Sequence, residues 1–134
     1  MILVTPELRD QLRANHRARC EALRRGERAP DLMPVVRFFN PLGPATWLAT
    51  ELDEDGILFG LADLGFGCPE LRSFALEELE SIQLPFGLGI ERDILFESEF
   101  PLSVYAEAAS RAGSLVEGER NLHGDAPDAD GSLR

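Results

Sequence analysis

The side chains able to do chemistry in this sequence are mostly carboxylates. Thirteen acids lie between Glu51 and Glu99, and two groups stand out by spacing: Asp53, Glu54 and Asp55 ahead of Gly56, then Glu77, Glu78 and Glu80. Neighbouring carboxylates can pass protons or hold a divalent cation through oxygen, and Asp53, Glu54 and Asp55 with nearby Asp63 are the set to weigh for the second role. They lack the spaced ligands of a calcium loop, and Asp and Gly are what a tight turn asks for anyway. No metal and no cofactor is therefore assigned. The imidazoles are His16 and His123. The first lies in an Arg-rich stretch and the second in a polar C-terminal segment, so both are read as surface residues rather than members of a nucleophile triad or a paired-histidine metal site. Cys20 and Cys68 lack the close pairing of a redox or zinc motif and are read as reduced thiols. No catalytic residue is assigned.

Binding is the better-supported class. The 134 residues carry a formal charge of −11, unevenly placed. Residues 1–37 hold eight Arg against five acids, whereas residues 38–134 hold five Arg against nineteen acids, which leaves the body at −14. Such a charge repels a phosphate backbone. It suits a protein partner, and a basic, nucleic-acid-binding one in particular, with Asp53, Glu54, Asp55, Glu77, Glu78 and Glu80 as contact candidates. The alternatives are direct nucleic-acid binding through Arg17, Arg19, Arg24, Arg25 and Arg28, and a metal-dependent nuclease or other small enzyme using surface carboxylates.

The elements that must position these groups follow from pattern. Thr5-Pro6-Glu7 opens a helix by capping, by a proline at the first helical position and by an acid at the positive end of the dipole. That helix is expected to end near Ala14 or Asn15, leaving an Arg-rich loop over residues 16–34. Val35 to Phe39 is β-branched and aromatic, hence a strand. Trp47–Leu52 and Ile57–Leu61 form a hairpin around Asp53-Glu54-Asp55-Gly56. Strict alternation would put Trp47, Ala49 and Glu51 on one face and Leu48, Thr50 and Leu52 on the other. Both faces are then mostly apolar, which predicts a central place in the sheet with cover on two sides or one face kept for a partner. Leu71–Phe74 is a further strand. Leu76, Leu79 and Ile82 share one face of a short helix whose other side carries the three glutamates. Ile90–Glu97 reads as another strand and Val104–Ala112 as a helix ended by Gly113.

The expectation is a single α+β domain over residues 1–115, mainly an antiparallel sheet of about four or five strands with an N-terminal, a middle and a C-terminal helix. An acidic, disordered tail is expected over residues 116–134. No secretory leader or membrane span is read, so the protein is placed in the cytoplasm, as a monomer or as a homodimer through one sheet face.

The ordered series TPELRDQLRAN, VVRFFNP, ATWLATELDEDGILFGLADLGFGCPELRSFALEELES, GIERDILFE and PLSVYAEAASRAG resembles a bacterial family classed as a domain of unknown function, number 2958, often encoded on plasmids and other mobile elements. The resemblance spans Met1 to Gly113. It implies no reaction and no site residues, but it implies a mobile-element setting. Together with the acidic body, that setting suggests a non-catalytic inhibitor of a host defence or DNA-processing protein.

Overall fold

The computed structural model describes residues 2–124. Its centre is the hairpin of β2 (Thr46–Leu52) and β3 (Ile57–Asp63), flanked by β1 (Val36–Phe39), β4 (Glu70–Ala75) and β5 (Glu91–Arg92). The sheet is antiparallel throughout, in the order β4-β3-β2-β1-β5. Four α-helices complete a single α+β domain: α1 (Pro6–Arg24), α2 (Leu76–Ser81), α3 (Leu102–Ala112) and α4 (Leu115–Leu122).

The doubly apolar hairpin is covered on both sides, as its pattern implies. On one face Trp47, Ala49, Leu52, Leu58 and Ala62 pack with Leu12 of α1, Leu76 and Leu79 of α2, and Leu3 and Val4. On the other, Leu48 and Leu61 pack with Leu102, Tyr105 and Ala109 of α3 and Leu115 of α4. All seven residues of β2 are buried. Each fully buried leucine on this strand stabilises the fold by about 1.5–3 kcal/mol of transfer free energy.

One irregularity sets the direction of the hairpin's polar side chains. The β2–β3 register shifts between Ala49 and Glu51, so Ala49 faces Gly60 while Glu51 faces Phe59 and Leu52 faces Leu58. This bulge at Thr50 inserts one residue and reverses the alternation beyond it. Glu51 therefore lies on the Leu48 side, and Leu52 joins Trp47 and Ala49. The expected assignment of these two residues was inverted. Gly60 makes the bulge possible, since a Cβ there would sit 1.8 Å from the Leu48 carbonyl oxygen. Any side chain at Gly60 would force the two strands apart.

Three further expectations change. The first helix does not stop at Asn15 but continues to Arg24, so residues 16–24 are helix rather than loop. The Asn15 side chain is turned to another use: its amide donates to the Thr50 carbonyl at 2.9 Å, and good helix formers carry the helix to Gly26, whose φ is +76°. The strand expected over Ile90–Glu97 is only Glu91–Arg92, because Asp93 folds the chain over: its side chain accepts from Leu95 N at 3.1 Å and its carbonyl from Phe96 N at 3.2 Å. Residues 116–122, expected in a disordered tail, belong to α4. Gly118 looks like a breaker in sequence, yet it marks close helix packing, where a Cβ would meet Ala109 N at 2.6 Å. The remainder of that expected tail, residues 125–134, lies outside the described residues.

Candidate functional site

The acidic corner forms because the turn needs it only in part. Asp53 Oδ1 accepts from Asp55 N at 2.8 Å and from Ile57 N at 2.9 Å, while Gly56 takes φ +81°. These bonds to the anionic form, that from Ile57 first, hold the Asp53 carboxyl below its ordinary range. Asp53 is thus spent on the backbone, whereas Glu54 and Asp55 project outward and are exposed. Asp63 is nowhere near this corner. It is buried at the far end of β3, where Oδ1 accepts from Gly65 N and Oδ2 from Leu115 N, both at 2.8 Å, and so fastens the start of α4 to the sheet. The four-acid set weighed for a cation is not assembled. Among the described residues, no group of three or more His, Cys, Asp or Glu is placed to hold a metal ion.

The glutamate ridge follows its helical spacing. Leu76 and Leu79 are buried, and Glu77, Glu78 and Glu80 are exposed. Beyond what the spacing implies, the fold joins ridge and corner. The Leu76 amide, at the start of α2, donates to the Gly56 carbonyl at 3.0 Å, directly after the Ile57–Ala75 strand pair. The start of α2 thereby lies at the acidic turn, while Glu78 further along it lines a cleft with Trp47, Ala62 and Leu64 toward the other end of the hairpin. Among the described residues, Asp55, Glu77, Glu78 and Glu80 make no ion pair, and Glu54 has only His16 Nε2 at 3.8 Å.

The five candidate arginines are dispersed differently. Arg19 is bound to Glu51, and Arg24 and Arg25 both pair with Glu21 one turn away, the latter at 3.1 Å. Arg17 and Arg28 are exposed, with no ion pair among the described residues. Through Arg24 the stretch is a helix rather than an extended basic arm, and three of its five arginines are paired within the domain.

Sequence reasoning missed the densest polar cluster, centred on Glu51. β1 ends opposite Ala49, so the next edge of β2 has no strand beside it and α1 takes that place. Asn15 satisfies the Thr50 carbonyl, and from the following helical positions His16 Nδ1 lies 3.0 Å from Glu51 Oε1 while Arg19 Nε donates to Oε1 and Oε2 at 2.7 and 2.9 Å. The hydrogen bond to Glu51 is the main reason the Arg19 guanidinium is pushed above its usual range. His16 is 14% exposed, so its reading as a solvated surface residue does not hold. A cleft of about 330 Å³ adjoins the cluster, lined by Arg19, Glu51, Phe59, Leu71 and Leu102, with Asp31 at its rim. Asp31 accepts from Ser103 N at 3.1 Å and from the Ser103 hydroxyl, and so caps α3. The available signal was the acid itself: a glutamate inside an otherwise apolar strand must find a cation when buried.

Comparison with protein families matches residues 3–116 to the model described as Protein of unknown function (DUF2958). No curated protein and no solved structure matches the chain.

Proposed function

We infer the role of this domain from its own surface; the chain belongs to the DUF2958 family, a protein family of unknown function. The domain is a non-catalytic interaction protein that presents carboxylates to a basic protein partner. The observation that carries this reading is the set of exposed carboxylates Glu54, Asp55, Glu77, Glu78 and Glu80 on two rigid elements, the turn and α2, which the Leu76–Gly56 hydrogen bond joins. Exposed carboxylates on a rigid turn and helix lose little conformational freedom on binding. They steer a cationic partner over roughly one Debye length, about 8 Å at physiological salt, and fix its register by charge complementarity.

The partner class that fits best is a nucleic-acid-binding protein whose basic groove the acidic end would fill, as an inhibitor of a host defence or DNA-processing activity. The body charge of −14 over residues 38–134 supports it. The pairing of Arg19, Arg24 and Arg25 within the domain weighs against direct contact with DNA or RNA through α1.

The test is affinity capture from host lysate with partner identification by mass spectrometry, comparing the native chain with the triple variant Glu77→Lys, Glu78→Lys, Glu80→Lys. The native chain should retain a basic nucleic-acid-binding protein that added duplex DNA displaces, and the triple variant should not retain it. Equal retention by both chains would overturn the reading.

A further inference from the structure

The central hairpin is covered on both faces by helices, which leaves the edges of the sheet as its open backbone. The β5 edge is two residues long, Glu91–Arg92. The opposite edge is β4, six residues from Glu70 to Ala75, hydrogen-bonded only to β3. Among the described residues, no backbone hydrogen bond reaches the outer side of its Glu70–Phe74 segment. Natural sheets guard so long an edge with charged side chains, proline, a bulge or a covering element. Between Glu70 and Ala75 the guards are Glu70 and Arg72 alone, which are opposite in sign and so can satisfy each other across a symmetric pair, and Leu71 between them is 48% exposed.

We propose that β4 is a homodimer interface, in which two copies pair β4 with β4 antiparallel about a two-fold axis and join their sheets into one. Symmetry restricts the register. A two-fold axis normal to the sheet keeps every side chain on its own face, so it must pass through the pairing of one residue with itself. Centring on Glu70 sets like charges against each other, and so does centring on Arg72. Centring on Ser73 sets Arg72 against Phe74 and leaves Glu70 without a cation. Centring on Leu71 places Glu70 opposite the second copy's arginine at position 72, does so twice, and buries Leu71 against its own counterpart. Charge complementarity thus selects the second copy as occupant and this register as the mode.

Glu70 and Arg72 are available for the exchange. Their strand partners, Ala62 and Gly60, put them on one face; their charged ends lie 3.7 Å apart within the chain, and both side chains are about half exposed or more. Backbone hydrogen bonds and Leu71 supply the affinity, whereas exposed ion pairs contribute little energy but discriminate between registers. The interface does not use Glu77, Glu78 or Glu80, so it stands independently of the partner reading above. Because each copy carries −11, association is best measured near physiological salt, where long-range repulsion is screened.

The experiment is sedimentation equilibrium of the full chain from micromolar to millimolar concentration under reducing conditions. The weight-average mass should rise from 14.8 kDa toward twice that value. A mass that stays at 14.8 kDa overturns the proposal. Arg72→Glu should weaken the dimer at least about tenfold, a cost of about 1.4 kcal/mol, and Glu70→Arg with Arg72→Glu should restore it by reversing both pairs. Undiminished dimerisation in the single variant, or failure of the double variant to recover it, overturns the register. As a measurement that does not depend on those charges, Leu71→Cys in a Cys20→Ser, Cys68→Ser background should form an intermolecular disulfide on mild oxidation, because residues paired across a two-stranded ladder have Cα atoms about 4.5–5.5 Å apart, within bridging range. Absence of that crosslink at a concentration where sedimentation shows the cysteine variant to be dimeric overturns the register as well.

Discussion

Glu51 and Glu54 stand three residues apart at the same end of one hairpin, yet their side chains are 3% and 77% exposed. The first has both oxygens occupied by Arg19 and His16. The second reaches only His16, at 3.8 Å. The contrast extends through the molecule: Asp63 and Glu119 are held by two donors each, Glu119 by Arg37 Nε and Nη2 at 2.9 and 3.0 Å, whereas Glu77, Glu78 and Glu80 hold nothing among the described residues. Carboxylates in this domain divide into fasteners, which tie helices to the sheet, and exposed charges, which bind little or nothing among the described residues. Composition counts them alike, and only position separates them.

That division can be broken from the fastener side first. Glu51→Ala leaves His16 and Arg19 clustered at a partly buried site without their anion and should cost about 3 kcal/mol in urea unfolding; a loss below about 1 kcal/mol would place Glu51 with the exposed charges. Asp63→Ala orphans the Leu115 and Gly65 amides and should cost about 2 kcal/mol, with faster amide exchange confined to α4 and the β3–β4 loop. Unchanged protection in α4 would show that its core packing suffices without the carboxylate.

Asp53 sharpens the comparison through pH. Its folded carboxyl lies below the ordinary value of 3.8 because of the Ile57 and Asp55 amides. Its contribution is therefore fully present above that value and is lost as pH falls through the lower folded one. Asp53→Asn should remove this part of the acid sensitivity of the thermal midpoint; an unchanged acid limb would show that other carboxylates account for all of it. Smallest in stability is the triple variant Glu77→Lys, Glu78→Lys, Glu80→Lys, expected within about 0.5 kcal/mol per site of the native chain while partner capture is lost. Destabilisation of several kcal/mol would move the ridge among the fasteners.

Where local pattern decides structure, the sequence was a good guide. Thr5, Pro6 and Glu7 place the start of α1; Asp53 and Gly56 place the turn; Leu76 and Leu79 place the buried side of α2. Local pattern failed wherever a distant partner decided. Asn15 reads as a terminator until the Thr50 carbonyl is beside it, and Gly118 reads as a breaker until Ala109 is against it. The bulge is the sharpest case. One extra residue opposite Gly60 inverts the facing of everything beyond it, and the Glu51 cluster depends on that inversion. The acidic surface was half legible: its two parts follow from turn chemistry and helical spacing, but the attachment of the start of α2 to the turn depends on a β3–β4 register that no local rule supplies.

The bond from Leu115 N to Asp63 also bears on what a shortened chain would be. A stop or a proteolytic cut after Gly113 would remove only the last stretch of sequence, yet it would strand one oxygen of a buried carboxylate and take Leu115 from the cluster containing Leu48 and Leu61. The product would not be the same domain minus a helix. It would expose part of the middle of the sheet, the kind of surface that cellular quality control degrades, so a chain cut there should be retained at a lower level than one that keeps Leu115–Leu122.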